Sequence, residues 1–101
     1  MLFDLSTPDE IAQEIGDRIR ANRLAQNLSQ SELAARAGIS ERALRNFERS
    51  GKGTFDLFLR TTSALGLAGA LSELFVLKPK SIKDMERASQ KRQRASRRRT
   101  E

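Results

Sequence analysis

"AGISERALRNFE", Ala37–Glu48, is the stretch on which the reading of this chain turns. Gly38 interrupts a helical pattern, and only Ile39 and Ser40 separate it from the next helix. A residue without Cβ takes a left-handed turn at little cost, so Gly38 ends one helix. Ser40 is a favoured N-cap and starts the next. Ile39, between them, is placed to plug the core. In the restarted helix Ala43, Leu44 and Phe47 recur on one side, while Arg42 and Asn46, four residues apart, share the other. Two short helices joined by a three-residue turn form a rigid unit that projects the second helix at a steep angle. The duplex major groove, about 12 Å wide, admits one helix. Arg42 can make two hydrogen bonds to guanine, Asn46 two to adenine, and Glu41 can accept from a cytosine amine.

Working outward, Ser29-Gln30-Ser31-Glu32 is a capping box, and the helix it opens runs over 29–37 with Leu33, Ala34 and Ala37 inward. Gln30 sits where backbone donors and its own amide can grip a phosphate. Thr7-Pro8-Asp9-Glu10 is a second capping box with Pro at the first helical position. Ile11, Ile15 and Ile19 give the helix over 8–26 its apolar stripe, and Asn27 is suited to a left-handed cap. On the other side, Ser50–Gly53 reads as a loop. A helix over 54–65 buries Leu57, Phe58, Thr61 and Leu65 and stops at Gly66. A last short helix is expected over 68–75, with Leu71, Leu74 and Phe75 apolar. The opening MLFDL is too brief for a helix and reads as a strand or an arm, able to pair with LFVL within or between chains. The expectation is an all-α domain over 1–77 with helices at 8–26, 29–37, 40–50, 54–65 and 68–75.

Composition narrows the function. The chain has 101 residues, enough for one small domain. It contains no Cys and no His, which removes disulfides, thiol chemistry, imidazole bases and nearly every zinc site. Trp and Tyr are absent too, which argues against a stacking platform for single strands. No cofactor or metal is expected. The net charge of +6 suggests a polyanionic partner, but it is unevenly placed. Residues 1–77 carry nine basic and ten acidic side chains, whereas 78–101 carry ten basic and three acidic. After Pro79 only Ile82 and Met85 are large and apolar, so 78–101 reads as a basic, disordered tail. Met1–Asp9 lacks the pattern of a signal peptide, and no run of about 18 apolar residues exists. The expected location is the cytoplasm, away from membranes.

Single residues on the outer face are weak signals. Any solvated helix displays Glu, Arg and Asn, and Glu41–Arg45 at i,i+4 supports a helix whether or not DNA is present, while Arg45–Arg49 repel. The combination is stronger: helix, glycine turn, and a capped short helix with a face able to read bases.

Taken together, Gln30-x-x-Leu33-Ala34-x-x-x-Gly38-Ile39-Ser40-x-x-x-Leu44-x-x-Phe47-Glu48 resembles the helix-turn-helix signature of the Xre/Cro family of phage-type repressors. The similarity extends over about residues 11–77 and includes Ala64-Leu65-Gly66. It implies a five-helix lambda-repressor-like domain with the third helix as recognition helix. By that resemblance Gln30 contacts phosphate, and Ser40, Glu41, Arg42 and Asn46 face bases or nearby backbone. Arg45, Arg49 and Lys52 complete the candidate DNA-binding set. Arg23 and Glu48 match a structural ion pair of relatives. The loop after the recognition helix departs from the pattern: Lys52 is its one basic residue, and Asp56 follows, so backbone contacts from this loop are in question. A narrower likeness, from GKGTFDLFLRTTSALGLAGALSELF into Pro and RASRRR, resembles the HipB-like antitoxins, regulators paired with HipA-like kinase toxins.

Three functions compete. In the first the protein is a homodimeric, autoregulating repressor that reads a palindromic double-stranded operator, two half-sites about 34 Å apart. Leu74, Phe75, Val76 and Leu77 are its candidate dimer interface, core closure being the favoured reading for Leu71 and Leu74 and interface the better one for Val76 and Leu77. In the second it is an antitoxin that also binds a toxin kinase through a segment near Ser81–Ala88. In the third the tail alone drives nonspecific, salt-sensitive binding to nucleic acid; a solubilising end is the bland account of RQRASRRR. An enzyme is disfavoured: the carboxylates are scattered and no Gly-rich phosphate loop follows a strand.

Overall fold

The computed structural model describes residues 1–79 and 84–92. Four helices form the body: α1, Pro8–Ala25; α2, Gln30–Ala37; α3, Glu41–Ser50; and α4, Phe55–Ala64. A 3-10 turn at Phe3–Leu5 precedes them, and another at Ala68–Leu71 follows. Among the described residues there is no strand.

Local chemistry sets each boundary. In both capping boxes the reciprocal bonds form: the Thr7 hydroxyl accepts from Glu10 N–H and the Glu10 carboxylate from Thr7 N–H. Ser29 and Glu32 repeat the arrangement at the start of α2. Ser40 and Thr54 accept from the backbone N–H three residues on. Three helices end alike. Asn27, Gly38 and Gly66 lie at φ of 56°, 69° and 75°. Past each, the next N–H reaches back over the last turn: Leu28 to the Arg23 carbonyl, Ile39 to Ala34, and Leu67 to Thr62. This is the Schellman closure, and it turns an apolar residue (Leu28, Ile39 or Leu67) inward each time.

The core is small and aliphatic. Ile19, Leu28, Leu33, Leu44, Phe47, Leu57 and Leu65 are buried, with Ile15, Ile39 and Phe58 against them. Phe58 meets Phe47 edge-on, ring centroids 6.2 Å apart. Helix α3 lies between α1 and α2, and α4 covers α2. Where α1 meets α3 the two backbones approach closely. A Cβ on Gly16 would stand 2.5 Å from the Phe47 carbonyl oxygen, and one on Gly51 would stand 1.9 Å from that of Ala12. Both glycines let α1 press against the C-terminal half of α3 and so hold it rigidly. Lys52 adds an ion pair to Asp9 on the first turn of α1.

Two expectations need correction. The segment over 68–75 is not an α-helix: a 3-10 turn covers Ala68–Leu71 and a looser turn follows to Phe75. Gly69 costs roughly 1 kcal/mol within a helix, and Leu67 offers no side-chain cap. Leu71 is half-buried, but Leu74 and Phe75 are exposed. MLFDL and LFVL do not pair as strands within the chain. Leu5 N–H instead donates to the Leu2 carbonyl and Ser6 N–H to that of Phe3, while the Phe3 ring sits under the Arg18 guanidinium, 5.1 Å from it.

Beyond Pro79 the backbone over 84–92 is helical, and every residue there is exposed, Met85 included. Composition alone assigned this segment no local structure; it does bury no side chain. Residues 81–83 of the Ser81–Ala88 segment, Ile82 among them, and 93–101, which hold most of the basic ending, lie outside the described residues.

Candidate nucleic-acid interface

Helix α3 divides cleanly. Leu44, Phe47 and Glu48 are buried; Glu41, Arg42, Arg45, Asn46 and Arg49 are exposed. At 100° per residue Arg42, Arg45, Asn46 and Arg49 fall on one face, with Glu41 at its edge and Ser40 capping the end. Their mutual bonds are long and exposed: Arg45 Nη2 to Glu41 Oε1 at 3.4 Å, and Arg49 Nη2 to Asn46 Oδ1 at 3.3 Å. Such contacts contribute little and give way to a better acceptor. Arg42 has no hydrogen-bonded partner among the described residues. The Ser40 hydroxyl, already accepting from Ala43 N–H, keeps its own O–H to donate.

Behind this face lies the buried pair. Arg23 Nε donates to Glu48 Oε2 at 2.7 Å and Nη2 to Oε1 at 2.9 Å, a two-pronged bond. A third arm, Nη1, donates to the Leu28 carbonyl at 2.8 Å. Arg23 is 6% exposed and Glu48 3%, so each charge depends on the other. Glu48 Oε1 also accepts from the Gln30 side-chain amide at 3.2 Å. One carboxylate thus ties α1, the first residue of α2 and α3 together. Gln30, half-buried, is held at the lip of α2 with one amide N–H still to give.

Electrostatics elsewhere fit a scaffold. Hydrogen bonds from the Thr7 and Ser29 backbones hold the Glu10 and Glu32 carboxyls below the ordinary glutamate range. Lys52 does the same to Asp9, first by hydrogen bond and then by charge. Lys52 is exposed but engaged with α1, and Asp56 pairs with Arg60 at 2.7 Å, one turn along α4. Leu74, Phe75, Val76 and Leu77 are a consecutive run of exposed apolar residues, remote in sequence from α3.

The geometry therefore gathers Gln30, Arg23 and Glu48 with the basic side of α3, and gives Lys52 to the first turn of α1. It also brings in two residues that the sequence reading passed over. Asp17 and Arg20 of α1, with Gln30, Arg45, Glu48 and Arg49, line a cleft of about 300 Å3. No local pattern marks either residue, because the cleft exists only once α1 and α3 are packed.

Comparison with known families agrees with this architecture. The family model described as "Helix-turn-helix" matches residues 19–57, from the second half of α1 to the first turn of α4. The match supports a DNA-binding domain of a transcription regulator and, with it, the likeness to Xre/Cro-type proteins. No curated protein shows significant similarity to the chain. Among the described residues no helix is long and apolar enough to cross a membrane.

Proposed function

We propose that this protein is a sequence-specific repressor that binds its operator as a homodimer through α3. The observation that carries the reading is the division of α3. Its inner face is locked by Arg23–Glu48, and its outer face presents Arg42, without a hydrogen-bonded partner among the described residues, and Asn46, held only by a long exposed bond from Arg49. Arg42 then reads guanine and Asn46 adenine. Glu41 sets the edge of the recognition surface, and Ser40, Gln30, Arg45 and Arg49 hold the flanking backbone. A single module buries too little surface for tight specific binding, so two copies are needed. The second copy docks on Leu74–Leu77. Phe75 supports this: it is 93% exposed and sits at φ 55°, a conformation costly for a bulky residue. An apolar cluster so exposed beside a strained backbone fits a surface covered by a partner.

Selection from a pool of random duplexes tests the reading. The expected product is an inverted repeat with half-site centres about 34 Å apart. A pool that stays unenriched, or one motif without a repeat, contradicts it.

A further inference from the structure

We propose that the N-terminal arm of one copy, Met1–Leu5, docks in the groove between α2 and α4 of a second copy, and that this contact joins dimers into larger assemblies. The contact uses none of the α3 residues assigned to DNA.

With Leu74–Leu77 given to the dimer, two groups of exposed apolar side chains remain among the described residues, Leu24 and Met85 standing singly. The first is the arm. Leu2 and Leu5 are 71% and 83% exposed. Leu5 N–H donates to the Leu2 carbonyl, and residues three apart in a 3-10 turn lie on one side. The arm is nonetheless ordered: the Ser6 hydroxyl donates to the Leu2 carbonyl at 3.0 Å, and Phe3 lies under Arg18. A segment already ordered loses less entropy on docking. The second group is on α4, where Phe55 and Leu59, one turn apart, are exposed. Leu59 lines a groove of about 530 Å3 with Ala37 and Ala64. Grouped apolar side chains of this kind mark contact surfaces, whereas single ones need no explanation.

Charge matches the two. The groove carries Arg36 and Arg60. Asp56 holds Arg60 at 2.7 Å, whereas Arg36 acts on Glu32 by charge alone and makes no hydrogen bond among the described residues. The arm brings Asp4, exposed and without an ion pair among the described residues. Asp4 then meets Arg36 while Leu2 and Leu5 cover Leu59. Phe3 ties the arm to α1 of its own copy and leaves both leucines uncovered there, so the groove they enter belongs to another copy. Arm on groove is a heterologous contact, which propagates from dimer to dimer where a like-on-like contact would close.

Sedimentation of the full chain across a wide range of concentration tests this. Wild type is expected to pass from dimer to larger species. Asp4→Lys and Arg36→Glu each set like charges against each other, and each is expected to weaken that step about tenfold or more. Mixing the two variants restores it, because the basic arm of the first suits the acidic groove of the second; a folding defect would not be repaired this way. Wild type that never exceeds a dimer overturns the proposal, as does a mixture that assembles no better than either variant. Assembly that Asp4→Lys leaves unchanged overturns it too, and gives the groove to another occupant. Phe75→Asp reads the Leu74–Leu77 contact separately: it should abolish the dimer and leave the remaining association sensitive to Asp4→Lys.

Discussion

The two faces of α3 are built from the same ten residues and treat charge in opposite ways. On the inner face Glu48 is almost completely buried and every arm of its partner Arg23 is engaged. On the outer face Arg42 has no partner among the described residues, and Arg45 and Arg49 are held only by long, exposed bonds. A charge taken out of water is costly unless geometry and hydrogen bonds offset it, so the inner face is fixed. A charge left in water is easily redirected, so the outer face is available to a ligand. The lesson is a division of labour within three turns of helix: the inner residues set where the helix stands, and the outer ones set what it meets.

That contrast predicts the sizes of mutational effects. The largest belongs to Glu48→Ala, which leaves Arg23 buried and unpaired. The expected loss is about 3–5 kcal/mol in urea unfolding, with DNA binding lost as the fold is lost. A loss under ~1 kcal/mol would mean the pair is not buried in solution. Next comes Gly16→Ala. Its methyl would press on the Phe47 and Glu48 carbonyl oxygens of α3, and the expected cost is roughly 1–3 kcal/mol. Full stability in this variant would show that α1 and α3 do not approach so closely.

Arg42→Ala and Asn46→Ala sharpen the comparison from the other side. Each is expected to leave unfolding unchanged and to cost about 1–3 kcal/mol on the selected duplex, with far less on scrambled DNA. Equal losses on both duplexes would assign these residues to the backbone and not to bases. The smallest effect concerns acid. Glu10 and Glu32 are held below their ordinary range by the folded caps, so they stabilise the fold above the ordinary glutamate pKa. That contribution disappears as pH falls below about 4 and passes through the folded values. Thermal melts of Glu32→Gln against wild type should differ at pH 7 and converge near pH 3; a constant difference would argue against the capping-box origin.

Much of this fold was legible because its signals are local. Thr7 with Glu10, Ser29 with Glu32, and the left-handed residues Asn27, Gly38 and Gly66 each act within a few positions, and each appears where the pattern placed it. The inward apolar residues of α2, α3 and α4 follow from period alone. What escaped depends on partners distant in sequence. Gly16 reads as a mere helix weakness until the α3 carbonyls opposite it are known. Arg20 looks like any solvated arginine until α1 and α3 form one cleft. The expected helix over 68–75 shrinks to a 3-10 turn over Ala68–Leu71 for a different reason: Leu74 and Phe75 are left uncovered among the described residues, and Gly69 weakens the helix. The burial of Glu48 was readable only through the family likeness, since no local pattern marks a carboxylate destined for the core.

The central claim, that the outer face of α3 reads sequence, is tested most directly by a fluorescence-anisotropy titration. The selected duplex is compared with a scrambled one at ~150 mM salt, where surface charge is well screened. Wild type and Arg42→Ala are measured side by side. Wild type is expected to prefer the selected duplex by about a thousandfold or more, and the substitution to cut that preference at least tenfold. Equal, weak binding of both duplexes by wild type, or a preference untouched by Arg42→Ala, would contradict the claim.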